Sequence, residues 1–344
     1  MKAMMLYEAN SLLENNTPLT MVDIPTPVAK EKEILIKIDV CGLCHTDIDE
    51  IEGRTPPGKF PMILGHQVVG KIISCGEKTQ RFQEGDRVGI AWINSACGTC
   101  LNCKKGNENL CEDFKATGRD APGGYAEYTT VKEDFAYLIP QTFTSAQAAP
   151  LLCAGAVGYR SLSLTNISDG QALGFYGFGA SAHLVIQVAQ HLYPNIKCFV
   201  FARNKAEQNF AIDLGAVWAG DIEATPPTKM DAVIDTTPVW RPVVMALSHL
   251  NPTGRVVINA IRKEEIDKEW LLKLDYTHHL WLEKELKSVA NVTRNDVIQF
   301  LQVAAQIPIK PEVQLFALKD ANQGLMEIKT GRIKGAKVLQ LESA

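Results

Sequence analysis

The 344-residue sequence contains no apolar run approaching the roughly 18–20 residues that cross a bilayer. Its first residues, Met1 to Tyr7, meet Glu8 before a secretory core could form, so a cytoplasmic protein without membrane partners is expected. A basic balance is also missing. The 35 Lys plus Arg are outnumbered by 39 Asp plus Glu, giving a net charge of −4 and a pI near 6.0. Nucleic acid is therefore not an expected partner. Internal repeats and low-complexity segments are lacking as well. With 46% hydrophobic and 22% charged residues, the chain reads as an ordinary globular protein. At about 100–200 residues per domain, the length predicts two domains.

What is present divides the chain in half. Ile34 to Val40, Gln67 to Ser74 and Asp86 to Trp92 are short β-branched runs bounded by turn residues. The chain to about residue 150 thus reads as an irregular, mostly β region. Beyond about residue 154 strands alternate with helices. The pattern predicts strands at Ala172 to Tyr176, Ile196 to Phe201, Ala232 to Asp235 and Arg255 to Ile261. Between them it predicts helices at Ala182 to Leu192, Lys205 to Leu214 (closed by Gly215) and Val239 to Leu250. An Asn251-Pro252-Thr253-Gly254 turn is expected to stop the last of these. Such alternation implies a parallel, doubly wound sheet. Helices near 295–305 and 320–330 and a strand at Lys334 to Leu341 complete the reading.

Nine cysteines are many for a protein expected in a reducing compartment, where metal binding or catalysis is a better prior than disulfides. Cys97, Cys100, Cys103 and Cys111 form C-x2-C-x2-C-x7-C, with Gly98 and Gly106 supplying turns. Tetrahedral zinc takes four such thiolates and then has no open position, so a structural zinc is expected, with a redox cluster as the alternative.

Gly177-Phe178-Gly179-Ala180-Ser181-Ala182 follows a predicted strand and opens a predicted helix, the context of a dinucleotide-binding turn. Gly177 permits the tight turn, Gly179 lets a pyrophosphate approach the backbone, and Ala182 is small enough for close packing. Where NAD-binding chains carry an acid, this one reads Phe201-Ala202-Arg203-Asn204. Nothing there repels a 2′-phosphate and Arg203 can receive one, which favours NADP over NAD, unless Arg203 is simply a solvated helix-start residue.

Cys44 in C-G-L-C-H-T-D, His66 in G-H-Q-V-V-G and Cys153 in L-L-C-A-G are each, taken singly, as compatible with packed core as with metal binding. Together with the knuckle and the Gly-rich turn, in this order, they resemble the zinc-dependent alcohol dehydrogenases of the medium-chain dehydrogenase/reductase superfamily. The resemblance covers essentially the whole chain. It implies a GroES-like catalytic domain over residues 1–154 and 291–344 and a Rossmann NAD(P)-binding domain over 155–290, and likewise a homodimer or homotetramer.

By the same resemblance, Cys44, His66 and Cys153 ligate a catalytic zinc, so two Zn2+ are expected per chain. Asp47 stands behind His66, or is simply a local cap. Thr46 matches the hydroxyl that bonds the alcohol, and His45 lies against the coenzyme pyrophosphate. Trp92 falls at a substrate-pocket position, with plain core packing as its alternative.

Three positions depart from the family pattern. Gln67 stands where a carboxylate is usual; one charge fewer about 5 Å from the metal is worth roughly 3 kcal/mol at an effective dielectric near 20 and makes the zinc a stronger Lewis acid. Ala336 followed by Lys337 stands where an Arg is frequent, a change that can be linked to the one at Gln67. Asp49 stands where many relatives carry a proton-relay His; it can still accept the proton, or the relay passes to water. Cys41, Cys75 and Cys198 have no assigned role. The expected reaction is reversible hydride transfer between a primary or simple secondary alcohol, or the matching aldehyde, and a nicotinamide coenzyme. The alternatives are a polyol or sugar-alcohol dehydrogenase of the same superfamily and a non-catalytic zinc-binding nucleotide sensor.

The knuckle yields a first prediction: Cys100→Ser should lower the zinc content by one ion per chain in metal analysis, and an unchanged content would contradict a four-thiolate site.

Overall fold

A computed structural model describes residues 1–307, 309–331 and 335–341. The chain divides into two compact units. The first is Met1–Cys153 with Val292–Ala305 and Lys310–Ala344; the second is Ala154–Asn291 with Gln306–Ile309.

The first unit is built around the ten-residue strand Glu33–Gly42, whose side chains Ile34, Ile36 and Ile38 alternate along the pleat into the core and are joined there, beyond a register irregularity, by Cys41. On one side it pairs antiparallel with Gln67–Cys75. On the other, Tyr128–Lys132 pairs with its first half and Ala336–Gln340 with its second. Arg87–Ile90, Ala136–Leu138 and Val313–Ala317 complete the sheet. A smaller sheet of Lys2–Leu6, Leu19–Asp23 and Met62–Ile63 shares the same apolar core, which includes Leu6, Ile51, Leu64 and Tyr125. This is the mostly β GroES-like architecture expected. The final strand is Ala336–Gln340; its expected first residue, Lys334, lies outside the described residues.

The second unit is a six-stranded, all-parallel sheet. Its spatial order is Trp218–Gly220, Lys197–Phe201, Ala172–Tyr176, Met230–Asp235, Leu250–Ile258, Glu285–Ser288. This is the doubly wound Rossmann order, with crossover helices Ala182–Leu192, Lys205–Asp213 and Arg241–Ser248. The edge strands Trp218–Gly220 and Glu285–Ser288 are not evident in the sequence, being three and four residues long without a buried run. One expectation is corrected. Residues Asn251–Gly254 do not form a free turn after a helix ending at Leu250. The helix ends at Ser248, Leu250 already pairs with Met230, and the next pair is Ala232 with Arg255. The four residues form an irregularity inside the strand, where Thr253 takes a φ of +63° and its N–H donates to the Leu282 carbonyl.

At the carboxyl end of Met230–Asp235, the fully buried Asp235 accepts from the Thr237 hydroxyl at 2.7 Å and pairs with the Lys263 ammonium. That ammonium also donates to the carbonyls of Thr237 (2.7 Å) and Val239 (2.9 Å). Burial pushes the Asp235 carboxyl up and Lys263 opposes it. Among the described residues no helix is long and apolar enough to cross a membrane.

Removing one member of such a buried pair strands the other. Lys263→Met should therefore lower the unfolding free energy by about 3–5 kcal/mol in chemical denaturation; a loss near zero would show that the pair contributes nothing.

Candidate active site and metal centres

The site begins with one register. Gly42, the last residue of its strand, pairs with Gln67, the first residue of the next. Cys44, just beyond the first, and His66, just before the second, therefore meet at one edge of the sheet. Cys153 arrives from elsewhere, on the wide helical turn Leu151–Gly155 that follows Pro150. Turns of this i→i+5 type occur often at functional sites because they re-aim one side chain.

The Cys153 Sγ lies 4.0 Å from Cys44 Sγ and 3.4 Å from His66 Nε2. All three donor atoms fall within 4.8 Å of one another. Tetrahedral zinc separates two thiolates by about 3.8 Å and a thiolate from an imidazole nitrogen by about 3.6 Å. The donor set thus fits zinc, and three protein ligands leave a fourth position for substrate.

Asp47 organises this cluster. It is fully buried and accepts the Cys44 N–H at 2.7 Å and the Tyr125 hydroxyl at 2.8 Å. Its other oxygen lies 3.4 Å from His66 Nδ1. A carboxylate facing Nδ1 holds the proton there and turns the Nε2 lone pair toward the thiols. Burial pulls the His66 basicity down, but Asp47 and Cys44 prevail and raise it well above its ordinary value. The hydrogen bond from Cys153 favours Cys44 as the thiolate, and the same bond keeps the proton on Cys153. Tyr125 is not identifiable in the sequence, where it is 78 positions from Asp47 with no motif around it. Gly65, with φ of +95°, lets its ring approach; a Cβ there would come within 2.4 Å of it.

The knuckle is equally compact. Its four sulfurs lie within 4.8 Å of one another, Cys97 to Cys103 at 3.8 Å. The N–H groups of Cys100 (3.3 Å) and Thr99 (3.4 Å) point at Cys97 Sγ and pull its thiol down to about 6. Burial pushes Cys103 up to about 12. Four converging thiols fit a closed zinc site.

The remaining candidate residues fall as follows. Thr46 Oγ1 is 3.6 Å from Cys44 Sγ. His45 is exposed at the start of the helix His45–Ile51. Asp49 is buried and bonded by Arg54 Nε at 2.5 Å. Gln67 is buried, with its carboxamide packed over Gly42. Lys337 is turned into the fold, where its ammonium meets Glu327 at 2.5 Å and Gln314 at 2.7 Å. Trp92 belongs to the core of the first unit, its ring 5.2 Å from that of Phe114 and beneath the Arg119 guanidinium.

In the second unit Gly177 has a φ of +81° and lies against Thr236, while nothing stands within 4 Å of the position a Cβ would take on Gly179. That open backbone, ahead of the helix Ala182–Leu192, is where a pyrophosphate would sit. Ala180 is exposed and Ala182 buried. The Ser181 hydroxyl is committed to the Ala154 carbonyl at 2.8 Å and accepts from Asn259 at 3.2 Å. Arg203 is exposed just past Lys197–Phe201, next to the buried Ala202.

A GroES-like unit holding a three-donor cluster and a closed thiol knuckle, in one chain with a doubly wound unit carrying a glycine-rich turn, defines a metal-centred dehydrogenase of the medium-chain type. Residues 30–141 match the family described as alcohol dehydrogenase GroES-like domain. The Mycobacterium tuberculosis protein named "Probable alcohol dehydrogenase AdhA" is 40% identical over 94% of this chain and 92% of its own length. CAD from Helicobacter pylori, complexed with NADP(H), superposes with a TM-score of 0.84 at 22% identity, covering 98% of this chain and 97% of that one. A cobalt- and zinc-bound thermostable alcohol dehydrogenase from Pyrobaculum aerophilum gives 0.84 at 21% identity, covering 99% of both. The chain belongs to the zinc-dependent alcohol dehydrogenases of the medium-chain dehydrogenase/reductase superfamily. It is an enzyme, which sets aside the non-catalytic reading.

Tyr125→Phe removes a donor from a buried carboxylate and should cost about 1–3 kcal/mol of stability in equilibrium denaturation; wild-type stability would show that the bond to Asp47 is idle.

Proposed function

We propose that the protein reduces aldehydes with NADPH and, in reverse, oxidises primary or simple secondary alcohols, at a zinc ion held by Cys44, His66 and Cys153. The observation that carries this reading is the convergence of those three donors at tetrahedral spacing, with the fourth position left to substrate. The ion supplies Lewis acidity to the substrate oxygen.

The chain's own residues do the rest. Asp47 keeps His66 in the tautomer that presents Nε2. The Thr46 hydroxyl, beside Cys44 Sγ, passes a proton between the substrate oxygen and the outside. Asp49 could end that relay only by sharing a carboxylate already bonded to Arg54, which favours water as the outer acceptor. Gly177, Gly179 and the N-terminus of the helix Ala182–Leu192 hold the coenzyme pyrophosphate, and the family resemblance assigns His45 to the same phosphates. The knuckle zinc, closed by Cys97, Cys100, Cys103 and Cys111, is structural.

Preference for NADP is supported by the stretch from Phe201 to Asn204, which has no carboxylate and carries the exposed Arg203. The NADP(H) complex of the structurally similar Helicobacter pylori protein is consistent with it. An NADP-linked enzyme of this kind runs mainly toward aldehyde reduction. Exposed Ile266, Leu272, Tyr276, Trp281 and Leu286 in the second unit support a homodimer or homotetramer.

Steady-state rates with a panel of aldehydes should give a higher kcat/KM with NADPH than with NADH, and Ala202→Asp should reverse the ratio by about tenfold or more. A higher efficiency of the wild type with NADH would overturn the coenzyme assignment. Activity that survives removal of one of two zinc ions per chain from the cluster would overturn the metal assignment.

A further inference from the structure

Glu50 is fully buried in the helix His45–Ile51, and neither of its carboxylate oxygens meets a hydrogen-bond partner among the described residues. It stands three residues after Asp47, and residues three apart on a helix share a face. That is the face from which Asp47 reaches the Cys44 N–H and His66. Burial pushes the Glu50 carboxyl well above its ordinary range; Asp47 and Cys44 add to this, while His66 and Arg119 oppose it. Among the described residues, the charges that act on it most strongly belong to the metal-donor cluster and to the Arg119 guanidinium.

An acid buried without a partner is among the costlier groups a fold can carry, and such groups persist where a compensating charge is supplied. Among the described residues no hydrogen-bond donor reaches it. A divalent cation between Cys44, His66 and Cys153 would supply the charge. Gln67, adjacent to His66, is neutral and packs over Gly42, so position 67 contributes no charge to the metal.

We propose that Glu50 is the second supporting carboxylate of the metal centre, a positioning residue that retains the cation by its charge and takes the place of an acid at position 67. The proposal rests on the reading of Cys44, His66 and Cys153 as ligands. Asp47 acts through its hydrogen bond to the Cys44 N–H and its close approach to His66 Nδ1, whereas Glu50 acts through its field alone, so Glu50 can be neutralised without changing the geometry of the ligands. Restoring a carboxylate at position 67, next to His66, should then restore the field.

The test is zinc release from the full-length protein to an excess of a colorimetric chelator. Wild-type protein should release two ions per chain in two phases, one from the cluster and one from the closed knuckle, and the knuckle phase serves as an internal control for folding. Glu50→Gln preserves size and removes charge; the cluster phase should accelerate by about tenfold or more while the knuckle phase keeps its rate. In the double variant Glu50→Gln/Gln67→Glu the cluster phase should return toward the wild-type rate. An unchanged cluster phase in Glu50→Gln, equal acceleration of both phases, or no recovery in the double variant would overturn the role of Glu50 and leave the metal centre standing. Release of a single ion per chain from the wild type would overturn both the metal centre and the role of Glu50.

Discussion

The register between Glu33–Gly42 and Gln67–Cys75 is the constraint on which the chemistry of the first unit depends. Side chains alternate along a strand, so a slip of one residue would carry each of them to the other face. With Gly42 opposite Gln67, Cys44 and His66 leave their strands at the same edge, and the short helix after Cys44 starts where Asp47 can reach back to both. The strand Ala336–Gln340 locks the same end from the other side, pairing Val338 with Gly42, and the Lys337 carbonyl accepts the Leu43 N–H at 2.9 Å. The inward turn of the Lys337 side chain toward Glu327 and Gln314 follows from that pairing.

Around this edge the fold concentrates groups that are costly to bury. His66, Asp47 and Glu50 are all at 0% exposure, with two thiols adjoining. Hydrogen bonding covers part of the cost: Asp47 has the Cys44 N–H and the Tyr125 hydroxyl. The remainder is an excess of negative character, which suits the proposed cation site. Arg54 extends the same compensation outward, bonding Asp49 and pairing with Glu52, while Lys329 reaches Glu52 at 2.8 Å.

Much of this is legible in the sequence, for physical reasons that differ between the halves. In the second unit the runs at Ala172 to Tyr176 and Cys198 to Phe201 are apolar and buried throughout, so their composition marks them plainly. The edge strand Glu285–Ser288 is exposed along its whole length and carries no such mark. Asn251–Gly254 has the composition of a turn, and pairing on either side absorbs it into a strand. In the site, cysteine spacing makes the knuckle legible because its ligands are local. The Cys44, His66 and Cys153 grouping is visible only as an ordered set of motifs. Tyr125 and Glu50 are not visible, since a tyrosine and a glutamate have no local signature that tells a buried one from an exposed one. Trp92, which the resemblance puts at a pocket position, packs against Phe114 and Arg119 in the core of the first unit.

The pairing of Val338 with Gly42 also sets an order of events during synthesis. The first unit is discontinuous, and its central strand lacks a neighbour until residues 336–340 have left the ribosome. At roughly 5–20 residues per second that wait is on the order of tens of seconds. The second unit, apart from four residues, is continuous from Ala154 to Asn291 and can close its sheet in the meantime. The nascent chain therefore holds the strand end bearing Cys44 open on one side while its nucleotide-binding half is already formed. The four cysteines of the knuckle, by contrast, all lie between residues 97 and 111 and are complete long before that strand arrives.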